Sequence, residues 1–411
     1  TVFLNDGDGT FDNSSSTYVL TFVPDGDSLQ DFNNDGFLDL LIVGDSDSEN
    51  IAVLLNDGDG TFDTSSSTYT GTANATRDVA VADFNNDGYV DFVLTNNILG
   101  TISTYINDGD GTFSYDRDYD SAVAPFGIIA ADFDNDGFQD VAWNNYVSGP
   151  GQLRVKFNNG GGVGFFESVY STYNLNTDGP VYLVADDFNN DGFKDIATAV
   201  LFSDTLSILI NNGDGTFAAE VDYNAGDGLA GIDSSDINND GYSDIVTANN
   251  NEATNSIFLN DGDGTFDTSS STYVAGVEPY KIKAADFNND GYIDFMSSNA
   301  ASNTVSVYTN NATSTLTATT TGAGSGEVII SYTTPPDDDL DSIIILHSTS
   351  PITTDAPVDG TTYTGGETIG GATVACVDST VSTSTADSCT STSLSDGTPY
   401  YFSAFVKDTS G

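Results

Sequence analysis

Between residues 77 and 119, four short segments carry the apolar spacing of β-strands. Val79-Ala-Val-Ala82 interleaves apolar and small residues, which predicts a strand covered on both faces in a crowded place. Phe92-Val-Leu-Thr95 and residues 101–106 follow as second and third strands, and Thr112-Phe113 opens a fourth, more polar one. The segments between them are polar. Residues 96–100 make a turn, and Asn107-Asp-Gly-Asp-Gly111 tolerates positive φ and should close a hairpin. The fourth segment is rich in Ser and Thr in several copies, at 14–18, 65–69 and 269–273. A polar outer strand limits edge-to-edge pairing. Four strands per unit of about 50 residues, apolar inside and wet outside, predict a propeller blade; solenoid repeats use fewer elements.

The segment between the first two strands repeats as a ladder: Asp, any residue, Asn or Asp, any residue, Asp, Gly, two residues, Asp. Copies begin at Asp31, Asp83, Asp132, Asp187, Asp236 and Asp286, 49 to 55 residues apart. One copy would be an acidic turn held by its own backbone. Six in phase make a repeat protein. Six loops imply six inner strand pairs, while the third strand occurs seven times, first at residues 2–5. No good fourth strand follows 305–309. The expectation is a β-propeller over 1–311, with six blades favoured and the N-terminal strand around 18–22 closing the last. A seventh blade would need strands from upstream or from another molecule. The opening residues match the second half of a unit, which suggests a portion of a longer secreted protein.

Near Asn311 the repeat stops and Ser and Thr increase. Thr315-Leu-Thr-Ala-Thr, Glu327-Val-Ile-Ile-Ser-Tyr-Thr, Ser342-Ile-Ile-Ile-Leu and Tyr400-Tyr-Phe-Ser-Ala-Phe-Val read as strands of a β-sandwich over 312–411. The expected fold class is therefore all-β. Cys376 and Cys389 are the two cysteines. They suggest a local disulfide and an oxidising compartment, against the alternative of two unpaired small hydrophobes.

Charge narrows the function classes. The chain carries 62 acidic and 8 basic residues, a net charge of −54, and nearly all the acid is Asp. Short-armed Asp suits turns and ligand loops, with high-salt adaptation as a second source of acidity. Nucleic acid is excluded as a partner for want of Lys and Arg, and no apolar stretch is long enough for membrane insertion. The chain is 38% hydrophobic, with 25 Phe and 20 Tyr, enough to fill cores rather than stay disordered. The one histidine, His347, lies outside the repeats. A Ser-His-Asp set is thus excluded there, and no enzyme is expected.

The ladder has the chemistry of a cation cage. In the first copy, oxygens of Asp31, Asn33 and Asp35 fall on alternate residues, Gly36 permits a sharp turn, the carbonyl of Phe37 adds a ligand and Asp39 closes the shell. This oxygen-only arrangement suits calcium and parallels the start of an EF-hand loop. Magnesium demands stricter geometry, and zinc and copper prefer nitrogen or sulfur. The other candidate ligands are Asp83, Asn85, Asp87, Tyr89 and Asp91; Asp132, Asp134, Asp136, Phe138 and Asp140; Asp187, Asn189, Asp191, Phe193 and Asp195. The last two loops add Asp236, Asn238, Asp240, Tyr242 and Asp244; Asp286, Asn288, Asp290, Tyr292 and Asp294. About six calcium ions are expected, because carboxylates packed this closely repel one another without a cation. The acidic hairpins, such as Asp108 and Asp110, are accounted for by turn chemistry. The repeated loop Phe and Tyr residues are expected in the core.

Val81-Ala-Asp-Phe-Asn-Asn-Asp-Gly-Tyr-Val-Asp91, followed by Asn107-Asp-Gly-Asp-Gly-Thr-Phe113, resembles the FG-GAP/VCBS repeat from residue 1 to about 310. That family includes the calcium-binding blades of integrin alpha subunits and many secreted bacterial proteins. Two departures stand out: Asn158-Asn-Gly-Gly-Gly has lost its acids, and Ile237 replaces the usual Phe. The C-terminal part resembles a fibronectin type III domain at Tyr332 and at Tyr400-Tyr-Phe. The resemblances imply a secreted, calcium-stabilised interaction or structural protein at a cell surface or in an extracellular assembly, filaments included. Its partner would be a protein or glycan ligand, or copies of itself. The alternative is a carbohydrate-binding, lectin-like module of a larger secreted protein, with aromatics exposed between blades.

Overall fold

Strands of four to eight residues bury little alone, so each unit gains a core only by stacking on its neighbours. The computed structural model describes residues 22–44, 51–56, 75–121, 124–146, 150–160, 166–267 and 271–310, scattered positions within 2–20 and 58–69, and beyond 310 chiefly strand segments. The chain divides into two compact units, Thr1–Asn310 and Asn311–Gly411.

The first unit contains six antiparallel meander sheets in chain order, as expected of propeller blades. Thr76–Ala82, Asp91–Asn96, Thr101–Asn107 and Phe113–Asp120 form one of them, paired in sequence. The aspartate loop joins the first two strands, and its ninth residue opens the second: Ala82 lies opposite Asp91, and Asp186 opposite Asp195. Second strands are sandwiched between sheets. Asp91–Asn96, Asp140–Asn145, Asp195–Val200 and Asp244–Asn249 are buried at every residue. Innermost strands approach even more closely. A Cβ on Gly127 would lie 2.3 Å from the carbonyl oxygen of Val181, and one on Gly231 2.5 Å from that of Tyr280, so only glycine fits there.

Aromatic residues join one sheet to the next. The second loop residue meets a hairpin phenylalanine of the following sheet edge-to-face: Phe32 with Phe113 at 5.5 Å, Phe84 with Phe166 at 5.4 Å, Phe133 with Phe217 at 5.6 Å. The same phenylalanines donate their backbone N–H to a tyrosine hydroxyl of the preceding sheet, Phe217 to Tyr173 at 3.3 Å and Phe266 to Tyr223 at 3.1 Å. Each such ring pair contributes about 1 kcal/mol beyond the area it buries.

The chain start departs from expectation. Val2 pairs with Ser16 and Asn5 with Phe11, making a hairpin of its own. Tyr18 does not lie in a strand that closes the last sheet. Instead its hydroxyl accepts the N–H of Phe62 in the first sheet, at 2.8 Å. The Tyr-to-Phe contact that links successive sheets places it there. The last sheet has three strands among the described residues, Pro279–Ala285, Asp294–Asn299 and Thr304–Tyr308.

The second unit has two antiparallel sheets. One orders Thr319–Gly324, Glu327–Thr333 and Ala386–Ser391; the other orders Thr368–Ile369, Ala372–Asp378, Leu340–Ser348 and Tyr401–Asp408. Ile344, Leu346, Ile369, Ala372 and Val374 pack together on the second sheet. Tyr400 and the side chains of Tyr332 and Cys389 lie outside the described residues, and with them the disulfide expectation.

Candidate metal centres

Each aspartate loop is folded by its own side chains. In the fourth loop Asp187 accepts the N–H of Asp191 on Oδ1 (3.0 Å) and that of Gly192 on Oδ2 (2.9 Å). Asn189 Oδ1 shares the Asp191 N–H at 2.9 Å, while its amide donates to Asp191 Oδ2 at 2.9 Å. Asp191 Oδ1 then takes the N–H of Phe193 at 2.9 Å. The first, third and fifth side chains are thereby turned to one side of the loop. The sixth residue is glycine for a conformational reason: φ is +91° at Gly192, and a Cβ there would have no atom within 4 Å, so backbone geometry alone demands it. The same hydrogen bonds recur in the first loop, from Asp35, Gly36 and Phe37 to Asp31, Asn33 and Asp35.

The third loop replaces the amide with Asp134. One oxygen each of Asp132, Asp134 and Asp136 lies within 4.8 Å of the others. Burial, then the charges of Asp136 and Asp132, push the Asp134 carboxyl above its ordinary value. These groups are oxygen donors throughout, with neither nitrogen nor sulfur among them. That donor set fits a hard divalent cation.

The ninth aspartate occupies a different place. Asp195 is fully buried, and its two oxygens accept the N–H groups of Phe188 (2.9 Å) and Asn211 (2.7 Å). It clamps the loop to the following hairpin. Asp39, Asp91, Asp140, Asp244 and Asp294 are held in the same way. Burial is the main cause that pushes Asp91 and Asp140 to about 7 and Asp195 and Asp244 to about 6, opposed by those N–H donors. The seventh residues also differ from expectation. Phe37 is exposed rather than in the core, and a Cβ on Gly58 would strike its ring at 2.5 Å; Tyr89, Phe138, Phe193 and Tyr242 sit against Gly109, Gly160, Gly213 and Gly262 in the same manner. They are lids over the hairpins. The second-position rings, Phe32, Phe84, Phe133 and Phe188, are the core residues.

A scan against family models matches the FG-GAP-like repeat at residues 31–94, 83–143, 187–247 and 236–297, together more than half of the chain. The chain belongs to the FG-GAP-like repeat family. No curated protein matches it in sequence. Among solved structures it is similar to a proposed 6-phosphogluconolactonase from Bacteroides uniformis (TM-score 0.50, 14% identity, 69% of this chain and 80% of that one). It also matches a protein from Lactobacillus plantarum (0.48, 17%, 70% and 84%) and the V. cholerae biofilm matrix protein Bap1 (0.40, 15%, 96% and 64%). At 14% identity the first likeness extends to the fold alone, and the two lower-scoring ones add nothing to it.

Two further positions of the FG-GAP-like unit escape a reading of the sequence alone. The fourth loop residue is Asn in all six copies and takes positive φ, 57° at Asn34 and 61° at Asn239. Its amide reaches the next loop: Asn34 donates to the Gly88 carbonyl, Asn86 to Gly137, Asn135 to Gly192 and Asn239 to Gly291, at 3.2–3.4 Å. The hairpin asparagine is the second. Asn211 donates to Phe133 O of the preceding loop (2.8 Å) and to Lys194 O of its own (3.0 Å), while accepting the Gly213 N–H (3.0 Å). Repetition at fixed spacing was the available signal for both.

Proposed function

We propose that this FG-GAP-like protein is a secreted, calcium-stabilised structural or interaction protein of a cell surface or extracellular assembly. The observation that carries the reading is the recurrence of one oxygen-lined loop at the same place in six consecutive sheets, with amides joining loop to loop. The first, third and fifth side chains would hold the ion, with the seventh carbonyl. The ninth carboxylate keeps lone pairs beyond the two N–H groups it accepts. The cation compensates clustered negative charge; the residues themselves order the loop and tie it to the hairpin. Binding only the folded state stabilises that state, and oxygen loops of extracellular modules commonly bind at about 0.1 to 1 mM. No helix among the described residues is long and apolar enough to cross a membrane. Two small antiparallel sheets support a spacer role, of fibronectin type III kind, for the C-terminal unit.

Calorimetric titration of chelator-stripped protein tests the reading, with melting followed in parallel. About six sites and a calcium-dependent rise in melting temperature are expected. Unchanged melting in millimolar calcium would refute calcium stabilisation. Chelator-sensitive binding on a glycan array would move the assignment to the lectin-like alternative.

A further inference from the structure

Two kinds of amide tie each sheet to its neighbour, and they end at different places. The hairpin amides, such as those of Asn107 and Asn211, reach the second residue of the preceding loop, Phe32 O and Phe133 O, both at 2.8 Å. That residue carries the buried ring and none of the candidate ligand groups. The fourth-residue amides end among the ligands. Asn135 stands between Asp134 and Asp136 of the third loop and donates to Gly192 O of the fourth at 3.2 Å. Gly192 in turn donates its N–H to Asp187 Oδ2 at 2.9 Å, and its carbonyl adjoins Phe193. Two hydrogen bonds through one glycine therefore separate the ligand segment of one loop from the first ligand of the next. The same relay runs from Asn34 through Gly88 to Asp83, from Asn86 through Gly137 to Asp132, and from Asn239 through Gly291 to Asp286.

The row has one gap. Asn190 takes φ 57° like its counterparts, but among the described residues its amide reaches no carbonyl of the fifth loop. Asn260 still donates to Phe188 O across that seam at 2.8 Å, so the sheets stay joined while the relay is missing. The relays thus divide the loops into a run of four and a run of two. The third loop is also unlike the rest. Its ligand positions hold four carboxylates, Asp132, Asp134, Asp136 and Asp140, where the others hold three. Asp134 has no amide to set against Asp136, as Asn189 has against Asp191 at 2.9 Å. Oxygen loops bind more tightly as their ligand charge rises.

We propose, on the reading of these loops as calcium sites, that they fill as two coupled blocks, the first four led by the third loop and the last two on their own, with the fourth-residue amide as the coupling element. Drawing the oxygens of Asp132, Asp134 and Asp136 together fixes the backbone of Asn135 between them. Its amide then holds Gly192 in place, and with it the Asp187 and Phe193 groups that the fourth loop must bring inward. A loop already ordered by its neighbour loses less freedom on filling, which is positive coupling, and by linkage the effect is the same in both directions. Asn86 joins the second loop to the third, and Asn34 the first to the second. At Asn190 the coupling stops.

Hydrogen exchange read by mass spectrometry, loop by loop, tests this during calcium titration of the chelator-stripped full chain. The fourth and fifth loops are the decisive pair. Both carry three aspartates and one asparagine at the ligand side chains, and the fourth also has the Lys194 ammonium beside it, 3.0 Å from Asp186, which by itself should delay filling. Coupling reverses that order: the fourth loop is expected to gain protection at about 5-fold lower calcium than the fifth. Asn135→Gly keeps the positive φ and removes the amide. It should raise the midpoint of the fourth loop, whose own sequence is untouched, by about 5-fold. Asn190→Gly makes the same change where no relay exists and should leave the fifth loop unmoved. Three results each overturn the coupling while leaving the calcium sites standing: a fourth loop that fills with or after the fifth in the parent, an unmoved fourth loop in Asn135→Gly, or a fifth loop shifted as far by Asn190→Gly. Calcium that protects no loop overturns both.

Discussion

Replacing Asn211 by Ala tests how far hairpin amides hold one sheet to the next. The side chain is 2% exposed and donates to two carbonyls, Phe133 O in the preceding loop and Lys194 O in its own. Truncation strands Phe133 O in the interior and Lys194 O at a part-buried position, at about 1–3 kcal/mol for each acceptor left without a donor, least for the second. The Gly213 N–H is near the surface of its turn, where water replaces the lost acceptor. The expected loss is about 2–5 kcal/mol, or roughly 2 °C of melting temperature per kcal/mol at this domain size. Asn56→Ala is the internal control, because among such carbonyls of the described residues Asn56 donates to Leu38 O alone. It should cost about 1 kcal/mol. Asn211→Asp keeps shape and removes both donors, so it should be worse than Ala. Thermal and urea unfolding in saturating calcium, followed by far-UV circular dichroism, measures all three. If Asn211→Ala lost less than about 1 kcal/mol, or no more than Asn56→Ala, the inter-sheet bond would not be a determinant of stability.

Other outcomes follow from the same geometry. Chelation should lower the melting temperature, since each site filled at a hundred times its dissociation constant adds about 2.7 kcal/mol; differential scanning calorimetry with and without EGTA reads this. Gly192→Ala forces a side chain into φ +91° with open space around it, so a purely conformational loss of about 1–2 kcal/mol is expected in urea unfolding. Phe133→Ala empties a fully buried ring site between sheets and should cost about 3–5 kcal/mol in the same assay. Lys156 lies buried against Tyr119 and Tyr170, and burial lowers its pKa below the ordinary 10.5. The unfolded chain then holds this proton more tightly, so the penalty is complete below the folded pKa and fades as pH rises from there to 10.5. Lys156→Met should therefore help more at pH 7 than at pH 10, measured as the difference in melting from the parent; an equal difference at both values would remove the burial argument.

The strands of the second sheet were legible because their causes are local. Alternating apolar residues at 79–82 and 92–95, and the Asn-Asp-Gly turn at 107–109, act through immediate neighbours, and the observed strands fall within a few residues of the expected ones. The loop was legible in its first, third and fifth positions for the same reason, since Asp187, Asn189 and Asp191 hydrogen-bond to backbone no more than five residues away. Asn211 was not legible as a tie between sheets, because Phe133 is 78 residues from it. Nor was the buried clamp of Asp195, whose partner Asn211 comes from the far end of the next two strands.

By itself, then, the sequence determined an all-β chain of repeated four-stranded units, the placing of an oxygen-rich loop between the first two strands of each, and the change of character near residue 311. Period-two burial, turn stereochemistry and short-range Asx hydrogen bonds decide those features within a few residues. Tertiary structure alone decided that Asp39 and its equivalents face the interior, that Phe37 lies outside while Phe32 lies inside, and that Tyr18 packs on the first sheet. Those outcomes depend on which sheet becomes whose neighbour, and a side chain's periodicity does not say what will be brought against it.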